Sequence, residues 1–110
     1  MEIKKDPVKA EGIRIAILEN GKEVGRATLF LMTNDLHVEP FGLLEDVFVE
    51  EEFRGQGIGT TLVKQIIEEA KARHCYKLLA TSRYARPKVH ELYLKLGFED
   101  HGKEFRMEFK

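Results

Sequence analysis

Cysteine is almost missing from this chain. Cys75 is the only one among 110 residues. No intrachain disulfide can staple the fold, and a single thiol fits a reducing cytoplasm. Tryptophan is absent, and the three prolines, Pro7, Pro40 and Pro87, are too scattered to mark a linker. Neither sign of charge dominates: 18 Lys and Arg stand against 19 Asp and Glu, for a net charge of -1. A nucleic-acid or anionic-membrane binder would normally show a basic excess, so neither partner is expected. No apolar run approaches the ~20 residues of a membrane span. Met1 to Pro7 lacks the apolar core of a secretory signal. Repeats and low-complexity stretches are also missing. Hydrophobic residues make up 43% and charged residues 34%, a globular balance that argues against wholesale disorder. The length suits one domain and is too short for two well-packed ones. The expectation is one domain over residues 1–110, with a polar lead over residues 1–11.

Ile13 to Leu18 and Val24 to Met32 read as strands, and Asn20-Gly21 between them is a tight-turn signal. Thr33 to Gly42 carries Asn, Asp, Pro and Gly and reads as a loop. Leu43 to Val49 alternates as a third strand. Its expected faces are Leu43, Glu45, Val47, Val49 and Leu44, Asp46, Phe48. From Ile58 the apolar positions 58, 62, 63, 66, 67 and 70 form one helical stripe, ending near His74. Lys77 to Thr81 reads as a short buried strand. Pro87 suits the first turn of a second helix, and Gly97 suits its end. The alternating Phe105, Met107 and Phe109 predict one or two final strands. The class is α/β (α+β): a mixed, mostly antiparallel sheet with a parallel strand pair and packed helices.

The densest signal is Val47-Phe48-Val49-Glu50-Glu51-Glu52-Phe53-Arg54-Gly55-Gln56-Gly57-Ile58-Gly59-Thr60. Three glycines at every second position join a strand to a helix. Glycine admits positive φ and close backbone approach. A helix start offers unpaired N–H groups and partial positive charge, which suits phosphate. Arg54 adds a cation and Thr60 a hydroxyl. A Walker A loop would need a lysine before Thr60, and a dinucleotide fingerprint would need G-x-G-x-x-G. Neither fits. The bland alternative is a turn that holds no ligand.

Arg54-x-x-Gly57-x-Gly59, after Val47-Phe48-Val49 and before a helix, resembles the acetyl-CoA motif of the GNAT N-acetyltransferases. Tyr93-Leu94-Lys95-Leu96-Gly97-Phe98 is similar to that family's Tyr-x-Lys-x-Gly-Phe helix end. The resemblance covers Leu43 to about Phe109. It implies a splayed parallel strand pair with pantetheine in the cleft, Phe48 and Val49 as strand contacts, and Arg54, Gly55, Gln56, Gly57, Gly59 and Thr60 as the pyrophosphate site. It implies a primary amine as acceptor, attacking directly in a ternary complex. A backbone N–H near Val49 would stabilise the oxyanion. The alternatives are a CoA-binding sensor without turnover and an interaction module.

Tyr93 lies on an apolar helix stripe and by itself could be a core residue. The resemblance makes it the acid that protonates the departing thiolate. A phenol is a weaker acid than a thiol by about 1.5 units, so the transfer must accompany collapse of the intermediate. A lysine-type amine is neutral in roughly one molecule in a few thousand at pH 7, so its attack needs a base or a water relay. Leu44-Glu45-Asp46-x-Phe48-Val49 resembles the strand of diamine acetyltransferases, in which the Glu orders the proton-taking water and the Asp attracts the amine. Glu45 is therefore the expected base and Asp46 the expected amine contact. Alternatively, one carboxylate is buried and partnered and the other solvated. The four histidines, His37, His74, His90 and His101, have no metal-ligand spacing with one another or with Cys75, and no metal is expected. Cys75 reads as an inert, partly buried thiol, and Glu50-Glu51-Glu52 as a solvated turn. Arg83 and Arg86 suit either the CoA 3′-phosphate or a solubilising role.

The family places two helices between its first two strands, and here Glu19 to Glu23 is the whole connection. The chain reads as a short form of the family. An acceptor wall would come from the Thr33–Gly42 loop, from a protein substrate or from a second subunit. A homodimer is expected, with Phe105, Met107 and Phe109 as contact surface.

Overall fold

Asn20 and Gly21 take φ of 52° and 79°, the paired left-handed geometry of a type I′ hairpin turn. They join β1 (Glu11–Glu19) to β2 (Lys22–Met32) in antiparallel register, Ile13 opposite Leu29 and Ile17 opposite Gly25. The computed structural model, which describes residues 1–110, continues with β3 (Phe41–Val49), a 3₁₀ turn (Glu51–Phe53), α1 (Ile58–Ala72), β4 (Leu78–Ala80) and α2 (Pro87–Lys95). The strands form one sheet in the order β1-β2-β3-β4. β2 and β3 are antiparallel, and β3 and β4 are parallel. This is the mixed, mostly antiparallel sheet that the sequence implied. The chain divides into two compact units, Met1–Ala80 and Thr81–Lys110.

In the first unit the helical stripe becomes the core. Leu62, Val63, Ile66 and Ala70 of α1 are buried, together with Val24, Ala27, Leu29 and Leu31 of β2 and Leu44 of β3. Each large side chain so buried contributes about 1.5–3 kcal/mol. Gly25 lets the helix approach: a Cβ there would lie 2.9 Å from Ile58 Cγ2 and 3.1 Å from Leu62 Cδ1. At the far end of α1, His74 takes φ 61°. His74 N donates to Lys71 O and Cys75 N to Ala70 O, each at 3.0 Å, a Schellman closure with histidine in the glycine position. The β2–β3 loop is tied down by Asn34, whose Oδ1 accepts from Leu36 N and His37 N and whose Nδ2 donates to Tyr76 Oη at 2.9 Å. That loop enters β3 at Phe41, the opposite end from Val49.

In the second unit Pro87 opens α2 as expected. Gly97, at φ 103°, closes it. Gly97 N donates to Leu94 O at 3.1 Å and Phe98 N to Tyr93 O at 3.0 Å. His90 Nε2 lies 2.8 Å from Arg83 O, a local partner that accounts for this histidine.

The final strands are not formed. Residues 99–110 carry no regular element, and Phe105, Met107 and Phe109 are almost fully exposed. Alternation signals a strand only where a neighbouring strand and a packed face receive it. Here Arg106 bridges Glu104 at 2.7 Å and Glu108 at 3.6 Å on the polar side of the same segment.

Candidate functional site

β3 is regular as far as Glu45 and then changes. Thr28 pairs with Glu45 and Arg26 with Phe48, so Ala27 of β2 stands opposite two residues, Asp46 and Val47. This is a β-bulge, and Asp46 takes it up with φ 55°. The expected faces are corrected by it. Glu45 and Asp46 do not simply point to opposite sides, and Phe48 does not share the face of Leu44. The extra residue shifts the alternation, which puts Phe48 on the face of Glu45, Arg26 and Thr28.

Arg26 holds this geometry. Its Nε donates to Asp46 Oδ2 at 2.8 Å and its Nη2 to Oδ1 at 3.3 Å, while its Cζ lies 4.6 Å from the centroid of the Phe48 ring. The hydrogen bond from Arg26 holds the Asp46 carboxyl below its ordinary pKa. An acceptor ammonium would share Asp46 with a guanidinium already in place. Arg26 was not singled out in the sequence; the available signal was a cation within the largely apolar run from Val24 to Met32. Beside it Arg14 and Glu23 form a second forked pair at 2.6 and 2.7 Å. Glu45 is exposed on this face, in register with Thr28.

The parallel partner runs out at the same place. β4 pairs with β3 only at Gly42, Leu43 and Leu44. From Glu45 to Val49, β3 pairs with no strand on that side. An extended strand edge is left beside the glycine turn, as a splayed pair requires.

The turn itself is held by short local bonds. Phe53 N donates to Glu50 O at 2.9 Å and Arg54 N to Glu51 O at 3.3 Å. Arg54 Nε donates to Val49 O at 2.9 Å, which draws its guanidinium to 5.6 Å from the Phe48 ring centroid. Three expected cofactor contacts, Phe48, Val49 and Arg54, thus meet at one strand end. Gly55 and Gly57 take φ of 80° and 85°. A Cβ at either would meet nothing within 4 Å, so both face open space. After Arg54, the next backbone amide with an acceptor is that of Thr61, donating to Gly57 O at 3.0 Å. The N–H groups of Gly55, Gln56, Gly57, Ile58, Gly59 and Thr60 before it find no acceptor in the chain. Side chains at Gly55 or Gly57 would fill the cradle, and the free donors suit a pyrophosphate. The residues therefore fit the CoA group that the motif implied.

Tyr93 lies in the second unit, half-buried on α2. Its ring centroid is 5.1 Å from that of Phe98. Arg83 and Arg86 are exposed, and Arg86 N donates to Arg83 O at 3.1 Å. Cys75 is half-buried, and that burial pushes its thiol pKa up, in keeping with an inert thiol. No group of three or more His, Cys, Asp or Glu side chains is placed to hold a metal ion. No helix is long and apolar enough to cross a membrane.

Comparison with known proteins agrees with this geometry. The model of the Acetyltransferase (GNAT) family matches residues 3–98, a span that runs through both units. The glucosamine 6-phosphate N-acetyltransferase of Trypanosoma brucei brucei is 32% identical over 89 residues, covering 80% of this chain and 58% of that protein. The thialysine N-epsilon-acetyltransferase of Bos taurus is 37% identical over 57 residues, covering 52% of this chain and 34% of that protein. A Trypanosoma brucei acetyltransferase crystal structure superposes with a TM-score of 0.80 at 27% identity, covering 89% of this chain and 69% of that one. The chain thus spans little more than half the length of the first of these relatives. It belongs to the Acetyltransferase (GNAT) family.

Proposed function

We propose that this protein is an acetyl-CoA-dependent N-acetyltransferase whose acceptor is a primary amine. The observation that carries the reading is the cradle between β3 and α1. Its N–H groups from Gly55 to Thr60 are free, and Gly55 and Gly57 face open space. Gly55, Gln56, Gly57, Gly59, Thr60 and Arg54 would hold the pyrophosphate. Phe48 and Val49, on the strand edge beyond Leu44, would line the pantetheine arm. Bound there, acetyl-CoA supplies an activated acetyl thioester.

The chain's own residues do the rest. Glu45, exposed on its face of the sheet, takes the ammonium proton through a water, which leaves the amine neutral for direct attack. A backbone N–H near Val49 donates to the developing oxyanion. Tyr93 donates its phenolic proton to the departing sulfur, a role resting on the family motif from Tyr93 to Phe98. Asp46, already forked by Arg26, would share its carboxylate with the acceptor ammonium. Relatives named for glucosamine 6-phosphate and for thialysine support a small amine as acceptor; an amine on a protein is the alternative. Both units are taken to act as one catalytic domain, since the family match spans them. We place the protein in the cytoplasm on its single thiol. The exposed Phe105, Met107 and Phe109 support a homodimer, which sedimentation at micromolar concentration checks: a 12.7 kDa species alone removes it.

The test of the activity is thiol release from acetyl-CoA with a panel of polyamines, amino acids, aminosugars and lysine peptides. Amine-dependent release is expected. CoA binding without release from any amine would leave the sensor reading instead.

A further inference from the structure

We infer that Arg26 is a positioning residue: its fork on Asp46 holds the β3 bulge open and so sets the face to which Phe48 points, the face of Glu45. The inference rests on the proposed transferase reading of that face.

A non-glycine residue at positive φ brings Cβ against the following carbonyl and is disfavoured. The left-handed position of such a bulge is ordinarily filled by glycine. Asp46 nonetheless sits there at φ 55°. The β2–β3 ladder flanks it on both sides, and its side chain is held by a single group: both carboxylate oxygens are taken by one planar guanidinium, at 2.8 and 3.3 Å. The fork is itself fixed, because Arg26 lies in register with Phe48 and stacks 4.6 Å from its ring centroid. Guanidinium, carboxylate and ring form a closed set joining β2 to the bulge at Asp46 and to the strand beyond it at Phe48.

The consequence of losing the clamp follows from strand geometry. A bulge that closes removes one residue from the count, and every side chain beyond it changes face. Phe48 would leave the face of Glu45, and the backbone from Val47 to Val49 would turn with it. Exposed ion pairs contribute little to global stability. With the Arg26 and Asp46 side chains 33% and 57% exposed, the clamp is expected to matter for the geometry of the site far more than for the melting temperature.

A double-mutant cycle separates this from a charge effect. Arg26→Leu should lower kcat about tenfold, equivalent to about 1.4 kcal/mol. In an Asp46→Gly background the same substitution should lower it less than twofold, because glycine takes positive φ without a clamp. Equal losses in both backgrounds, or no loss in either, would overturn the inference; the first would mean that Arg26 acts through its own charge. Should the unmodified protein transfer no acetyl group, the activity reading fails and the clamp is judged by NMR alone. The strong intraresidue Hα–HN contact of a positive-φ residue is then expected at Asp46 and should weaken in Arg26→Leu. An unchanged contact would refute the clamp whatever the activity.

Discussion

Tyr93 and Phe98 are joined twice: the Phe98 amide donates to the Tyr93 carbonyl at 3.0 Å, and their rings lie 5.1 Å apart. Of the two bonds that Gly97 and Phe98 donate to close α2, this one spans more residues, and the ring pair is the apolar contact that accompanies such a closure. Gly97 permits it by taking φ 103°. The segment from Tyr93 to Phe98 is therefore first a helix stop, which fixes where the tyrosine ring sits.

That arrangement makes Tyr93→Phe a clean experiment. The ring, its contact with Phe98 and the backbone bond all survive, and only the hydroxyl goes. The expected result is a loss of kcat of roughly 10²–10⁴-fold, with CoA affinity little changed. Steady-state kinetics beside a thermal melt checks it, and unchanged turnover would return Tyr93 to a packing role.

Gly25 carries the approach of α1 to the sheet. The Cβ of Gly25→Val would lie within 2.9 Å of Ile58 Cγ2 and 3.1 Å of Leu62 Cδ1, and its branches would add to the clash. Destabilisation of about 1–3 kcal/mol is expected in urea unfolding. Because Ile58 opens α1 beside Gly57, CoA affinity should fall as well.

His74 offers the opposite sign. It occupies the left-handed closing position of α1 at φ 61°, on an exposed surface. His74→Gly removes the Cβ conflict there and should stabilise the protein by about 0.5–1 kcal/mol, after allowance for the greater freedom of the unfolded chain. A midpoint that falls in denaturant melts would show that the histidine makes a compensating contact.

The sequence made the glycine turn and the helices legible, because each has a local cause. Glycine spacing, the apolar stripe from Ile58 to Ala70, Pro87 and Gly97 all act within a few residues. The hairpin was equally local, through Asn20-Gly21. The bulge was not, since it depends on which β2 residue stands opposite Asp46, and register is a property of two strands. Arg26 was missed for the same reason: its partner lies twenty positions away. The tail failed in the other direction. Phe105, Met107 and Phe109 alternate as a strand does, but alternation is only half of a strand, and no neighbour pairs with them here.

The account rests most heavily on the cradle between β3 and α1, and a thermal melt with CoA or acetyl-CoA tests it most directly. A ligand that binds only the folded state adds about 2.7 kcal/mol at a hundredfold excess over Kd, which shifts the melting temperature upward by several degrees. Gly57→Val puts a branched side chain into the open space at φ 85° and should abolish the shift. A rise with the unmodified protein that disappears in Gly57→Val is the predicted result. No rise at millimolar CoA, or an equal rise in both proteins, would contradict the assignment of this turn as the pyrophosphate site.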